Sequence, residues 1–429
     1  MPYFNHRQKV IFSAENLFDI NPLRKYELLF DNLACPPFER RNITKGRPPV
    51  SKSSLTKALI YKNLKPLKML SDLVIDLNDN PSIAIKCGFR PSHIPPIERF
   101  SAFLRKTNNE AFQSIRRELV RELISLEEIT GNNLSIDSCP IPANVKENNL
   151  KTSIKDRFDK YKIPRGDKDC KLGITVHYKE PFQKQIQYFW GYRNHVVSDL
   201  PSELPICEIT KSANVSESKL FIPLFTSVQN EFSFSPTAVL GDSAYDAEYI
   251  LEFIIDTLHA KPYIARNMRW EAKRPVRISS KGGRICIAGF EMVYWGKFKD
   301  RGKIRRKFVC PITHSKSFAK KVPHCPWNHP RFENGNGCVA YLRGNKNIRK
   351  NIDYGSEDFK KTYNMRTGSE RIFSRLLTLC MQDPSIKGLN TTANHCTIAH
   401  ITVLLVALTA VKTGNKDKIR FLKSFLPNL

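Results

Sequence analysis

The hydrophobic period of this chain changes once, near Asn132, and that change limits the folds open to it. Before it, apolar residues recur at three- and four-residue spacing in Leu55 to Tyr61, Leu67 to Leu77, Ile97 to Leu104 and Phe112 to Ile129. Pro36-Pro37, Pro48-Pro49 and Pro95-Pro96 punctuate these segments. Short helices separated by turns suit a helix-turn-helix-like DNA-binding module and a plain helical bundle equally. After Asn132 the pattern is that of strands. Asn133 to Asp137 alternates polar and apolar residues, Lys171 to Tyr178 and Lys184 to Val197 follow suit, and Thr237 to Asp242 reads as a buried strand ending in a turn. Asp246 to Leu258 then reads as a helix and Lys261 to Ala265 as a strand. Three strands, then strand–helix–strand, predict a mixed sheet with helices on its faces.

Charge marks off a further segment. The 429 residues carry 69 Lys and Arg against 41 Asp and Glu, a net +28. From Arg266 to Lys350 there are 22 basic and 4 acidic residues, a net +18, so about two-thirds of the excess sits in a fifth of the chain. Trp270, Phe290, Tyr294, Trp295 and Phe298 are interleaved with it. A solvated surface is the bland reading; a surface for a polyanion explains the aromatic residues as well. Strand-like alternation with Gly282-Gly283, Gly296 and Gly302 as turns runs from Arg277 to Val309. Glu357 to Leu379 returns to helix, and Thr397 to Val411 is a buried helix ended by Gly414. The apolar run Ile398 to Val411 falls short of the roughly 20 residues of a membrane span. No secretory leader pattern opens the chain, and eleven scattered cysteines suit a reducing compartment, so a cytoplasmic, nucleoid-associated location is expected.

Three acids stand out. Asp137 is expected to end the first strand and Asp242 the fourth, where side chains enter the ligand crevice of an open α/β sheet. Glu370 lies on the helix after the basic segment. Converging there, three carboxylates would hold hard divalent ions. Tyr363, Arg366 and Glu370 are three and four residues apart and share one helix face, offering a ring, a guanidinium for phosphate and a metal ligand. An ordinary Arg–Glu surface pair has the same spacing.

Ser135-Ile136-Asp137-Ser138, Gly191-Tyr192-Arg193-Asn194-His195, Gly241-Asp242-Ser243-Ala244-Tyr245-Asp246 and Tyr363-Asn364-Met365-Arg366-Thr367-Gly368-Ser369-Glu370-Arg371 occur in that order. From about residue 50 to 412 the chain resembles a DDE transposase of bacterial insertion sequences, with an RNase H-like core and an insertion domain before the final Glu. The resemblance implies that Asp137, Asp242 and Glu370 bind catalytic Mg²⁺ or Mn²⁺ and that Tyr363 and Arg366 contact phosphates of the transferred strand. The family's signature places a Lys where this chain has Leu377. Arg375, the nearest base, points about 140° away from Glu370 at 100° per residue and is a poor substitute. His195 is read as a structural residue near the site rather than a general base.

Within the basic segment Trp295 is a candidate stacking wedge, the alternative being a core tryptophan of a β-hairpin, and Arg305, Arg306 and Lys307 are candidate DNA contacts. Cys310, Cys325, His329 and Cys338 offer ligands for a structural Zn²⁺, although no Cys-x₂-Cys knuckle occurs and buried free thiols explain them too.

The expected fold class is therefore α/β: an RNase H-like mixed-sheet core interrupted by a basic β-rich insertion, with a helical N-terminal domain. The expected divisions are 1–130 (helical, DNA-binding), 131–265 (core, first part), 266–350 (insertion), 351–415 (core helices, second part) and 416–429 (basic tail). The expected function is metal-dependent phosphodiester hydrolysis and strand transfer on double-stranded DNA, at terminal inverted repeats and target, by a homodimer with no membrane partner. A domesticated or inactive transposase acting as a non-catalytic DNA-binding protein is the alternative. An RNA-processing nuclease of RNase H-like fold shares the carboxylates but leaves the Tyr363/Arg366/Glu370 helix unexplained.

Overall fold

The computed structural model describes residues 23–39, 49–151, 158–178, 184–266, 277–278, 284–300, 303–327, 332, 334–343, 352–382 and 384–424. Trp270, His329, Gly282-Gly283 and Gly302 lie outside them. The chain divides into two compact units, Met1–Ile264 with Lys361–Leu429, and Ala265–Lys360.

The first unit begins with seven helices: α1 (Arg24–Asp31), α2 (Pro36–Glu39), α3 (Lys52–Leu64), α4 (Leu70–Asp79), α5 (Pro81–Cys87), α6 (Ile97–Lys106) and α7 (Asn109–Ser125). Local chemistry sets their ends. Ser51 caps α3 by accepting from the Ser54 N–H at 3.3 Å, and Asn108 caps α7 by accepting from Glu110 N–H at 3.0 Å. Pro81 opens α5, and Gly88, at φ +90°, closes it in the left-handed region. Phe38, Phe103 and Phe112 meet edge to face with centroids 5.4–5.6 Å apart.

Six strands form the sheet: β1 (Asn133–Pro142), β2 (Lys171–Tyr178), β3 (Lys184–Asp199), β4 (Leu204–Ser212), β5 (Ala238–Gly241) and β6 (Lys261–Ile264). Helix α8 (Glu217–Phe232) connects β4 to β5, and α9 (Glu248–Glu252) with the wider turn Phe253–Thr257 connects β5 to β6. Strand β3 is antiparallel to both β1 and β4, while β5 and β6 continue beyond β1 in parallel. The order β4-β3-β1-β5-β6, three antiparallel strands followed by two parallel ones, is the RNase H-like arrangement. Strand β2 extends it by pairing with the first half of β3. The sequence pattern predicts neither β4 nor α8. Pro205 interrupts the alternation of the one, and Pro223 lies inside the other.

In the second unit, β7 (Arg277–Ile278) and β8 (Arg284–Ile285) form a short ribbon, and β9 (Val293–Asp300), β10 (Lys303–Val309) and β11 (Val339–Arg343) form a sheet in the order β11-β10-β9. Two short helices follow β10, α10 (Pro311–His314) and α11 (Lys316–Lys321). The expected return to helix from Glu357 to Leu379 is divided in two, α12 (Glu357–Asn364) and α13 (Thr367–Thr378).

Helix α14 (Leu389–Lys412) organises the first unit. It is longer than the apolar run suggests, and by length and composition alone it could cross a membrane, yet its most apolar stretch is almost wholly buried inside the protein. Several of its polar residues bond to neighbouring elements. Asn394 donates to the carbonyls of Leu104 at 2.7 Å and Thr107 at 2.8 Å, and Thr397 donates to Glu208 Oε1 at 2.6 Å. His400 Nε2 lies 2.9 Å from Asn194 Oδ1, and Asn194 donates to Glu208 at 2.7 Å. These bonds tie the N-terminal helices, β3 and β4 to one helix.

Burial pushes His400 down to about 3, with the Arg116 charge adding to the effect. The unfolded chain takes up a proton near pH 6.5 that the folded protein refuses, so this group's stabilising contribution is present above that pH and lost as pH falls toward 3. The buried acid Glu208, pushed up by burial, acts with the opposite sign, so the histidine is isolated by difference. In urea unfolding, the stability of wild type relative to His400→Gln is expected to fall by up to roughly 1.4 kcal/mol per pH unit below pH 6.5. A pH-independent difference would mean that His400 is not held neutral.

Candidate active site

Strand pairing brings two of the acids together. Strands β1 and β5 pair from Asn133↔Ala238 to Ile136↔Gly241, so the next residue on each is Asp137 and Asp242. Asp242 leaves the end of its strand as expected. Asp137 does not end β1, which runs on to Pro142 against β3; it ends only the parallel pairing. Each carboxylate is fixed by a backbone amide: Ser138 N–H donates to Asp137 and Ala244 N–H donates to Asp242, both at 2.8 Å.

The third acid is delivered by α13. The hydroxyls of Ser369 and Ser135 are 2.5 Å apart, and Ser135 Oγ is 3.1 Å from Ser198 Oγ. Ser135 and Asp137 share one face of β1, so this contact docks the first turn of α13 on the face that carries Asp137. Gly368 allows the approach, because a Cβ there would lie 3.2 Å from Leu200 Cδ2. The helix breaks at Met365-Arg366, and Arg366 is the N-cap of α13. Tyr363 therefore sits on the preceding helix, yet the three side chains still meet. Arg366 Nη2 donates to Glu370 Oε1 at 2.9 Å, Nη1 donates to Asp137 Oδ2 at 3.3 Å, and the guanidinium lies 5.9 Å from the Tyr363 ring centre. Glu370 joins Asp137 through Arg366 rather than standing against it.

A fourth acid, absent from the expectations above, adjoins this group. Glu217 opens α8, accepts from Ser138 Oγ at 2.7 Å and is paired with Arg193. Its position depends on β4 and α8, the two elements that sequence periodicity passes over. Burial, above all, pushes Asp137 up to about 7. Its Ser138 amide bond and the Arg366 charge pull it down, while Asp242 and Glu217 push it further up. Asp242 is also raised, by burial first and then by Glu217.

Chemically these are hard oxygen donors whose mutual repulsion is offset by one guanidinium, a donor set that fits Mg²⁺ or Mn²⁺. Among the described residues no group of three or more His, Cys, Asp and Glu is gathered as closely as a bound ion would hold it; Arg366 takes the place of that positive charge between Asp137 and Glu370.

Leu377 is 39% exposed. Arg375 does not replace the missing cation, because it is engaged with Glu203, donating to its carbonyl and lying 3.8 Å from its carboxylate. His195 is buried with neither ring nitrogen hydrogen-bonded, and burial pushes it down to about 3, so it is neutral. In the second unit Trp295 is 58% exposed with its ring against His314, which removes the core-tryptophan alternative. Arg305, Arg306 and Lys307 lie on β10, half-buried. Of the cysteine–histidine quartet, His329 lies outside the described residues, and Cys310, Cys325 and Cys338 do not gather as a metal-holding set. Register decides which thiols meet: Cys310 and Cys338 flank the last pair of β10 and β11, whereas Cys325 sits in the loop between those strands.

The opposing charges around Asp137 make a measurable prediction. In metal-free protein, Glu217→Gln is expected to lower the Asp137 pKa and Arg366→Met to raise it, followed by carboxyl ¹³C NMR. An Asp137 titration unmoved by both changes would remove these two side chains from its environment.

No curated protein matches the chain. A chain of the cryo-EM structure of the piggyBac transposase synaptic complex with hairpin DNA aligns at a TM-score of 0.37 and 10% identity, covering 95% of this chain and 80% of that one. The family model described as transposase DDE domain matches residues 162–405, more than half of the chain, and on that match the protein belongs to the transposase DDE domain family.

Proposed function

We propose that this protein is an active transposase of the insertion-sequence type, cleaving a phosphodiester at each end of a mobile element and joining the freed 3′-hydroxyl to target DNA. The observation that carries the reading is the placement of Asp137 and Asp242 side by side, one residue beyond the parallel pairing of β1 and β5, with Glu370 joined to Asp137 through Arg366. Asp137, Asp242 and Glu370 would hold Mg²⁺ or Mn²⁺, which supplies charge neutralisation at the phosphate and an activated nucleophilic oxygen. Arg366 already presents a planar fork of donors to carboxylates, and the same fork suits a phosphate. Tyr363, against that guanidinium, would orient it and face the strand. Ser369 and Ser135 hold the acid-bearing helix in place, and the neutral His195 takes no part in proton transfer.

The basic surplus supports double-stranded DNA as partner. The N-terminal helices and the basic segment with Trp295, Arg305, Arg306 and Lys307 would recognise the terminal repeats. Pairing two ends requires a homodimer in the DNA complex, acting at the nucleoid.

Asp137→Asn, Asp242→Asn and Glu370→Gln are each expected to lower nicking of end DNA by on the order of 10³-fold or more, as when one member of a cooperating catalytic set is removed. Binding of the same DNA without metal should persist and weaken steeply with salt. Full nicking by any one variant in Mg²⁺ would sink the triad assignment; salt-independent binding would sink the electrostatic one.

A further inference from the structure

We propose that a cleft in the first unit, lined by Arg371, Ser374, Arg375 and Arg420, holds a backbone phosphate of a DNA strand engaged at the carboxylate pocket. The inference rests on the DNA-cleaving function proposed above and adds a contact to it. The cleft has a volume of about 570 Å³. At its centre is Glu203, in the turn between β3 and β4, buried and at φ +55°. Three guanidiniums converge on this one carboxylate. Arg371, on α13, donates to Oε1 from Nε at 3.0 Å and from Nη2 at 2.7 Å. Arg420, beyond α14, has Nη1 3.1 Å from Glu203 Oε1, and Arg375 has Nη2 3.8 Å from Oε2. Three cations against one anion leave a surplus of two positive charges. The other charges lining the cleft are already paired, Lys416 with Glu128 at 2.8 Å and Asp417 with Lys418 at 3.2 Å.

Further oxygens fix the guanidiniums in place. Arg420 donates to the carbonyls of Pro201 at 2.6 Å and Ser202 at 3.4 Å, Arg371 donates to Thr367 Oγ1 at 3.1 Å, and Arg375 donates to the Glu203 carbonyl. Arg375 keeps Nη1 without a hydrogen-bond partner. Burial pushes this guanidinium down to about 10; Glu203 pulls it up, and Arg420 and Arg371 push it further down. A second anion would relieve that repulsion. The side chains of Arg371 and Arg420 are 57% and 45% exposed. Each guanidinium carries five N–H groups, and the contacts above engage three of each, so both keep two for a ligand. Planar forks held in place before binding suit the oxygens of a phosphate and lose little freedom on meeting it.

Ser374 relates the cleft to the pocket. It follows Glu370 by four residues on α13, so it is turned only about 40° from Glu370 and lies about 6 Å further along the helix. A strand whose reacting phosphate lies at Glu370 therefore reaches the cleft within a few nucleotides. The basic residues within α13 are Arg371 and Arg375, and both belong to this cluster.

The test measures binding of the full-length protein to fluorescein-labelled end DNA by anisotropy, without metal, so that catalysis does not enter the reading. Arg371→Gln/Arg420→Gln is expected to flatten the slope of log affinity against log salt by about 0.9, the mark of one lost phosphate contact. Arg371→Lys/Arg420→Lys, which keeps the charge, should restore the slope. In a series of duplexes that each carry one neutral methylphosphonate, one position a few nucleotides from the cleaved bond should weaken wild-type binding by about tenfold, the worth of a charge-assisted hydrogen bond. The glutamine variant should be indifferent to that substitution. Should the double variant fail to fold, Arg371→Gln alone must lose sensitivity at the same phosphate. A wild-type salt slope in the glutamine variant, or no methylphosphonate that separates it from wild type, would overturn this contact, while nicking by the wild type leaves the transposase reading standing. Wild type that neither binds nor nicks end DNA would remove both.

Discussion

Two half-buried carboxylates placed side by side repel each other, and much of the first unit serves to keep Asp137 and Asp242 there regardless. Backbone register makes them neighbours, and once β1 and β5 are paired neither can withdraw without breaking the sheet. Burial and repulsion together raise Asp137 toward neutrality. Arg366 supplies the compensating charge, and it comes from a helix that must itself be anchored. The serine pair 135/369 and the close approach allowed by Gly368 provide that anchor. The pocket is thus tense by construction, and what relieves it is positive charge, from a guanidinium or a divalent ion.

A second polar device joins the helices to the sheet around the buried Glu208. Glu208 accepts from Thr397, Asn194 and Gln113, and these residues belong to α14, β3 and α7. The three donors offset part of the desolvation that raises this acid, and losing one strands the others. The network fixes how the helical layer sits on the sheet, and through β3 it fixes the strand against which Asp137 is registered.

Hydrophobic pattern was enough to find most of the helices, which bury one face, and the strands that place Asp137 and Asp242, of which β5 is a short apolar run buried at every residue. It fails where local signals contradict the tertiary outcome. Pro223 argues against the helix it lies in, and the element that holds Glu217 is lost with it. The run from Glu357 to Leu379 keeps a helical pattern across Met365-Arg366, so the break that lets Arg366 reach both Asp137 and Glu370 leaves no mark in spacing. The resemblance supplied the roles expected of Asp137, Asp242, Glu370, Tyr363 and Arg366; composition alone stopped at a polyanion partner.

The position of α14 near the end of the described chain has a consequence for synthesis on the ribosome. Helices α3, α6 and α7 contact it, as Asn63, the Leu104 carbonyl and Asn109 do through its polar side chains. Glu370 emerges 128 residues after Asp242, roughly 6–26 s later at about 5–20 residues per second. During that interval the amino-terminal helices have no central partner, and the two aspartates have no arginine. A nascent or prematurely terminated chain therefore cannot assemble the pocket, whose last parts arrive only when translation has passed the insertion and the helix beyond it.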